Sequence, residues 1–144
     1  MIEIKGIKKS GLNAASKTIP LQFQGLIKQY NEISSCFQGT INIQLENELI
    51  ILNPDKRTLP IKWHNDAPAE VFDFLKVKLC IPRLNVEKDA WIYIAHNSVH
   101  RNRYNFHELI CEKIENLSDC ENMKIRISRN SLVLPYGENR IYIV

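Results

Sequence analysis

From Gln38 to Leu45 the chain alternates, with Ile41, Ile43 and Leu45 apolar and Thr40, Asn42 and Gln44 polar between them. A period of two marks a half-buried β-strand, so one face of this stretch meets a core and the other carries polar groups. Side chains two apart on a strand lie about 7 Å from each other, close enough for a hydroxyl and an amide oxygen to share one small ligand. Gly39, just ahead of them, removes a side chain that would crowd such a ligand. An ordinary amphipathic strand shows the same pattern, and the octet by itself does not separate the two.

Similar patterns recur along the chain. Ile2, Ile4 and Ile7 among charged residues predict a strand over 2–9, with Gly6 as a place for a bulge. Ser10-Gly11-Leu12-Asn13-Ala14-Ala15-Ser16 is small and polar, a loop able to bring backbone N–H groups close to an anion. After Pro20, the residues Phe23, Leu26, Ile27, Tyr30 and Ile33 recur at helical spacing and predict one amphipathic helix over 21–33. The turn at Glu46-Asn47-Glu48 and the run Leu49–Leu52 predict a hairpin with the preceding strand, and Thr58–Trp63 reads as another short strand. Val71–Ile81 is the best candidate for a long central strand, with Val71, Leu75, Val77, Leu79 and Ile81 facing mainly one way. Further strands are expected at 90–95, 106–111 and 123–128, one helical turn at 113–117, and a closing hairpin at 131–134 and 140–144. Many short strands, one clear helix and no alternation of strand and helix describe a mainly β chain: a closed or nearly closed β-barrel with a lid-like helix, in one domain over 1–144.

Composition changes this picture little. At 144 residues, 44% hydrophobic and 24% charged, the chain has ordinary globular content and enough length for a real core. A net charge of +3 suits an anionic ligand such as a nucleotide but is too small and too dispersed for a nucleic-acid footprint. No apolar run is long enough to span a membrane and Met1–Lys5 lacks the apolar core of a signal peptide, so a cytoplasmic protein is expected. Cys36, Cys80, Cys111 and Cys120 form no CxxC pair and are expected as free, buried thiols.

Candidate chemistry gathers in three polar segments: Ser10–Ser16, the Thr40/Asn42 pair, and 96–108. Their order and content resemble the CTP-dependent riboflavin kinases, small cradle-loop (RIFT-like) barrels that move a phosphoryl group from CTP to riboflavin. Ser10-Gly11-Leu12 matches the start of that family's Ser-Gly-Leu-Gly-x-Gly loop, and Gly39-Thr40-Ile41-Asn42 is similar to its Gly-Thr-Leu-Asn strand. Ser98-Val99-His100 stands where the family has Thr-x-His, and Glu108-Leu109-Ile110-Cys111 where it has Glu-Ile-Ile-Ala-Pro ahead of a helical turn. The likeness covers about residues 2–128 and leaves the 131–144 hairpin outside it.

The resemblance implies a set of roles. Thr40 and Asn42 would hold Mg²⁺ through oxygen ligands. Gly11, Leu12, Asn13, Ala14, Ala15 and Ser16 would cover the nucleotide with backbone N–H groups, and Lys113, Ile114, Glu115 and Asn116 would contact its base or phosphates. Ser98 and Glu108 would contact the flavin, with Glu108 placed to orient or deprotonate the ribityl hydroxyl. CTP or another nucleoside triphosphate would be the donor, riboflavin the acceptor and FMN the product. Phosphoryl transfer asks mainly for alignment and charge neutralisation, so one metal and a few donors suffice. Three departures stand out: Asn13-Ala14-Ala15 in place of the glycine-rich remainder, Ser98 for threonine, and Cys111-Glu112 for Ala-Pro. They leave open a flavin- or nucleotide-binding barrel without catalysis, and an RNA-binding version in which Trp63 and Arg101-Asn102-Arg103-Tyr104 meet bases and phosphates. His96, His100 and His107 invite a metal, but in a loop rich in asparagine they read as solvated or hydrogen-bonded side chains.

Overall fold

The computed structural model describes residues 1–10, 14–97, 104–133 and 139–144, with helix side chains from residue 18 onward. In chain order the elements are β1 (Ile2–Lys9), α1 (Ala14–Gln29), β2 (Ile41–Leu45), β3 (Glu48–Ile51), β4 (Lys56–Arg57), β5 (Phe72–Ile81), β6 (Val86–Ala95), β7 (Phe106–Cys111), β8 (Asn122–Ile127), β9 (Ser131–Val133) and β10 (Arg140–Ile143). Short 3-10 turns occupy Asn31–Ile33 and Pro82–Leu84. Six strands, in the order β5-β6-β7-β2-β1-β8, pair antiparallel, and β8 returns to β5 through Lys78↔Arg126, Leu79↔Ile125 and Cys80↔Lys124 to close a barrel. No helix among the described residues is long and apolar enough to cross a membrane.

The barrel interior is aliphatic. Ile4, Ile43, Leu75, Leu79, Ile92 and Ile125 are 1% exposed or less and belong to one cluster. A second core lies outside the barrel wall, where Ile19, Phe23 and Leu26 of α1 meet Phe72 and Phe74 of β5 and Trp91 and Tyr93 of β6. The upper part of β5 is therefore buried on both faces. Leu75, Val77, Leu79 and Ile81 share the barrel face, as the pattern predicts, and Phe72 and Phe74 add a second buried face toward the helix, which it does not predict.

α1 also starts seven residues earlier than its periodicity predicts and passes through Pro20. Ala14 and Ala15 are strong helix formers, and the buried stripe Ile19, Gln22, Phe23 and Leu26 offsets the hydrogen bond that Pro20 cannot donate. The helix stops at Gln29. Ile33 keeps the apolar spacing only because the 3-10 turn buries it, at 0% exposure.

Other expectations are corrected by pairing. β2 and β3 form no hairpin: Glu46 N–H donates to the Lys5 carbonyl, the chain leaves the barrel, and β3 pairs parallel with β10. The 131–144 segment does form an antiparallel pair, so β10 holds β9 on one side and β3 on the other. The expected strand at 58–63 is reduced to a single bridge, Ile61↔Glu70. Residues 113–117 are not helical; a turn with Asn116 at φ 65° stands there. Gly6 is not a bulge, since β1 pairs without interruption from Ile2 to Ile7. A Cβ at Gly6 would lie 2.8 Å from both the Gln44 carbonyl and the Ile43 side chain, so the glycine lets β1 and β2 approach. Cys36, Cys80 and Cys111 are buried and free, whereas Cys120 is free but exposed at φ 61° in the turn before β8.

His107 sits opposite Ile43 on the barrel side of β7, and its Nε2 lies 2.8 Å from the Tyr104 carbonyl oxygen. Burial lowers its pKa from 6.5 to about 4, against the raising effect of that carbonyl. A base with a depressed folded-state pKa binds fewer protons folded than unfolded between those values, so stability is lost as pH falls through that window. By that linkage the penalty reaches about 3 kcal/mol by pH 4. Urea unfolding of His107→Gln should show an acid-side loss between pH 7 and pH 4 smaller than wild type by about that amount. Equal losses in both proteins would place the acid sensitivity elsewhere.

Candidate functional site

Register assembles a polar row on the outer face of the barrel. Lys9 of β1 stands opposite Asn42 of β2, Asn42 opposite Glu108 of β7, and Glu108 opposite Tyr93 of β6. Directly paired residues on antiparallel strands project to the same side, so four chemically distinct groups share one strip. β2 supplies its part by simple alternation, with Ile43 and Leu45 inside and Asn42 and Gln44 outside, as its sequence predicts. Thr40, one residue ahead of β2, lies near enough to the Glu108 carboxylate to favour its charged form. Thr40, Asn42 and Glu108 thus come together, although more than sixty residues separate the first two from the third in the sequence. Gly39 accommodates a neighbour within the chain: a Cβ there would lie 3.0 Å from the Phe37 ring.

Two features mark this strip as unusual. The Asn42 side-chain oxygen is buried with no hydrogen-bond partner, and it is the one such side-chain atom among the described residues. Leaving a buried acceptor unpaired costs about 1–3 kcal/mol, so the site holds an oxygen ready for a ligand. Burial also raises the Glu108 pKa above 4.5, partly countered by the nearby Thr40 side chain. Behind Glu108, the Tyr93 hydroxyl donates to Gln22 Oε1 of α1 at 2.7 Å, with both residues buried. Burial first, then the charges of Glu108 and Glu70, push the Tyr93 pKa up and hold it as a neutral donor. α1 is in this way fastened over the edge of the strip by a polar bond inside an apolar interface.

Glu70 and Asp73 anchor the neighbouring end of the wall. The buried Glu70 carboxylate accepts from Trp63 Nε1 at 3.2 Å and from the Asn97 backbone N–H at 2.7 Å. Asp73 receives both Arg57 Nε at 2.8 Å and Arg57 Nη2 at 3.0 Å, and its Oδ2 is 2.9 Å from His96 Nε2. Burial would raise the Asp73 pKa, but the Arg57 and His96 contacts overcome it and the net shift is downward. His96, in the turn after β6, is therefore engaged by an aspartate, and His107, within β7, by a carbonyl. Among the described residues no three His, Cys, Asp or Glu side chains converge as a metal group. Trp63, proposed as a base-stacking residue, is half-buried and tied to Glu70.

The remaining candidates fall as follows. Gly11, Leu12, Asn13, Ser98, His100 and Arg101-Asn102-Arg103 lie outside the described residues. Ala14, Ala15 and Ser16 belong to the first turn of α1 and not to a loop. Lys113 lies over the Phe37 ring, 5.9 Å from its centroid, and Phe37 N–H donates to the Cys111 carbonyl, which draws the 113–116 turn toward the chain leading into Thr40. Ile114 packs against the barrel core, and the Asn116 carbonyl accepts from Arg83 Nη2 at 2.8 Å. Lys9, Tyr93 and Gln22 carry no motif. Only their register and the docking of α1 bring them to the site.

The raised Glu108 pKa makes a pH prediction. An acid with a raised folded-state pKa binds more protons folded than unfolded, so its contribution is favourable in acid and is lost as pH rises above 4.5 through the folded value. Glu108→Gln removes that loss. Its melting temperature relative to wild type should rise from pH 4 to pH 7; a difference that is flat or falls with pH would refute the buried, proton-retaining carboxyl. Compared with protein-family models and with curated proteins, the chain matches none.

Proposed function

We propose that this protein is a riboflavin-kinase-like phosphotransferase that moves a phosphoryl group from a nucleoside triphosphate, CTP by resemblance, to riboflavin. The observation that carries the reading is the unpaired, buried Asn42 oxygen beside the Thr40 hydroxyl and the Glu108 carboxyl. Mg²⁺ takes hard oxygen ligands, and this donor set is an amide oxygen and a hydroxyl with a carboxyl next to them, so the residues present fit the ion. Thr40 and Asn42 would hold it, and when bound it would neutralise charge on the donor's phosphates.

The chain's own groups supply the rest. Glu108, whose burial brings its pKa toward the working pH, accepts a hydrogen bond from the acceptor hydroxyl and takes up its proton. Thr40, beside the carboxyl, favours its charged form and so opposes the effect of burial. Gln22 and Tyr93 lock α1 to the wall next to Glu108, which limits water at that side of the strip. Lys9, opposite Asn42, adds positive charge where an anionic ligand would lie.

A second reading, binding of flavin or nucleotide without transfer, is favoured by one observation. Helix begins at Ala14, where the resembling family continues a glycine-rich loop. Incubation with riboflavin, Mg²⁺ and each of the four ribonucleoside triphosphates, followed by chromatography for FMN, separates the two. FMN from at least one donor is expected. Measurable flavin or nucleotide binding with no FMN from any donor leaves the binding module.

The pair Thr40→Val and Asn42→Leu should lower Mg²⁺-dependent turnover by about a hundredfold or more while leaving the fold intact. Asn42→Leu removes an unsatisfied acceptor, so the unfolding midpoint should hold or rise. Unchanged turnover in the double variant would show that the strip is not the metal site.

A further inference from the structure

Next to the Thr40–Asn42–Glu108 strip, the outer face of β2, β1 and β8 forms an open groove of ≈ 530 Å³. Lys5, Ile7 and Lys9 project into it from β1, Gln44 from β2, and Lys124 from β8. Ile7 is 39% exposed, an apolar floor between two ammonium groups. The charges are arranged against their own comfort. Lys5 stands directly opposite Lys124 across the β1–β8 ladder, and like charges at facing positions destabilise a sheet. Lys124 is partly balanced by Glu3 at 3.4 Å, which also serves Arg126. Lys5 and Lys9 make no side-chain hydrogen bond or ion pair with any described residue. Among the described residues that line the groove, Glu46 is the only carboxylate. Three cations around a concave, partly apolar strip, two of them in mutual repulsion, form the complement of a chain of negative charge.

We propose that this groove binds a phosphate chain, either an inorganic polyphosphate or the polyphosphate of a nucleotide. Lys5 and Lys124 grip one end of the chain and Lys9 the other, with the Gln44 amide beside Ile7 donating to a bridging oxygen. Seating the anion relieves the Lys5–Lys124 repulsion, so binding and stabilisation are linked. The inference goes beyond phosphoryl transfer to flavin, because Lys5 and Lys124 lie outside the strip that Lys9, Asn42, Glu108 and Tyr93 share. Lys9, facing Asn42, is where the two regions meet.

The test is calorimetric titration of the intact chain with inorganic tripolyphosphate, without Mg²⁺ or flavin, at low and at physiological salt. Saturable binding that weakens with salt is expected. Lys5→Gln and Lys9→Gln should each weaken it on the order of fivefold, and the triple variant with Lys124→Gln should abolish it. In phosphate-free buffer Lys5→Gln should raise the melting temperature, and tripolyphosphate should then stabilise that variant less than wild type. No saturable binding, or equal affinity in the triple variant with a native circular-dichroism spectrum, overturns the proposal. Binding of a single-stranded oligonucleotide without binding of tripolyphosphate also overturns it. Competition by CTP assigns the groove to the phosphates of a nucleotide, and lack of competition assigns it to an inorganic chain. Because the titration needs neither metal nor flavin, a negative FMN assay leaves this result standing, and a negative titration leaves the FMN assay standing.

Discussion

Burial of the β5–β6 pair on both faces is the constraint on which the rest of the molecule depends. The inner faces of these two strands supply Leu75, Val77, Leu79 and Ile92 to the barrel, and the outer faces supply Phe72, Phe74, Trp91 and Tyr93 to the helix. Ten paired positions from Phe72↔Ala95 to Ile81↔Val86 make this the longest ladder in the structure. Removing an aromatic of this kind costs about 3–5 kcal/mol in well-packed cores. The wall is therefore stiff, and what is attached to it is held in place.

The candidate site is an outcome of that attachment. α1 docks by its apolar stripe, which brings Gln22 onto Tyr93, and Tyr93 faces Glu108 across the next ladder. Glu108 is half-buried because helix and sheet meet beside it, and its raised pKa follows from lost hydration more than from any partner. Asn42 lies one strand farther along, its side-chain oxygen buried and without a partner. Beyond Asn42 the face opens into the lysine groove. Along this wall the surroundings pass from dry and apolar, through a polar strip, to open and basic.

Some of this was legible in the residues. The Ile41-x-Ile43-x-Leu45 alternation assigned the faces of β2 correctly, because the side-chain period of a strand is a local property. The barrel class followed from many short strands and one helix, and the closing hairpin from its turn residues. Other parts misled for identifiable reasons. Pro20 reads as a helix start, but tertiary burial of Ile19 carried α1 through it. Leu49–Leu52 reads as the partner of β2, but Gly6 already brings β1 against β2 on one side and β7 occupies the other, so β3 pairs with β10. Thr40 and Asn42 were singled out by the alternation of their strand and Glu108 by resemblance, whereas Lys9, Tyr93 and Gln22 had no sequence signal.

The sequence by itself determined most of the strands, which of their faces are apolar, and that hard oxygen donors and a carboxylate were available. Those properties are written in periods of two and 3.6 and in the chemistry of single side chains. Tertiary structure decided which strands are neighbours, and with that the company each side chain keeps. Every strand offers the same row of backbone donors and acceptors, so the choice of partner rests on long-range packing and closure that no local pattern encodes. Asn42 beside Glu108, Lys5 against Lys124, and an oxygen left without a partner are facts of that pairing.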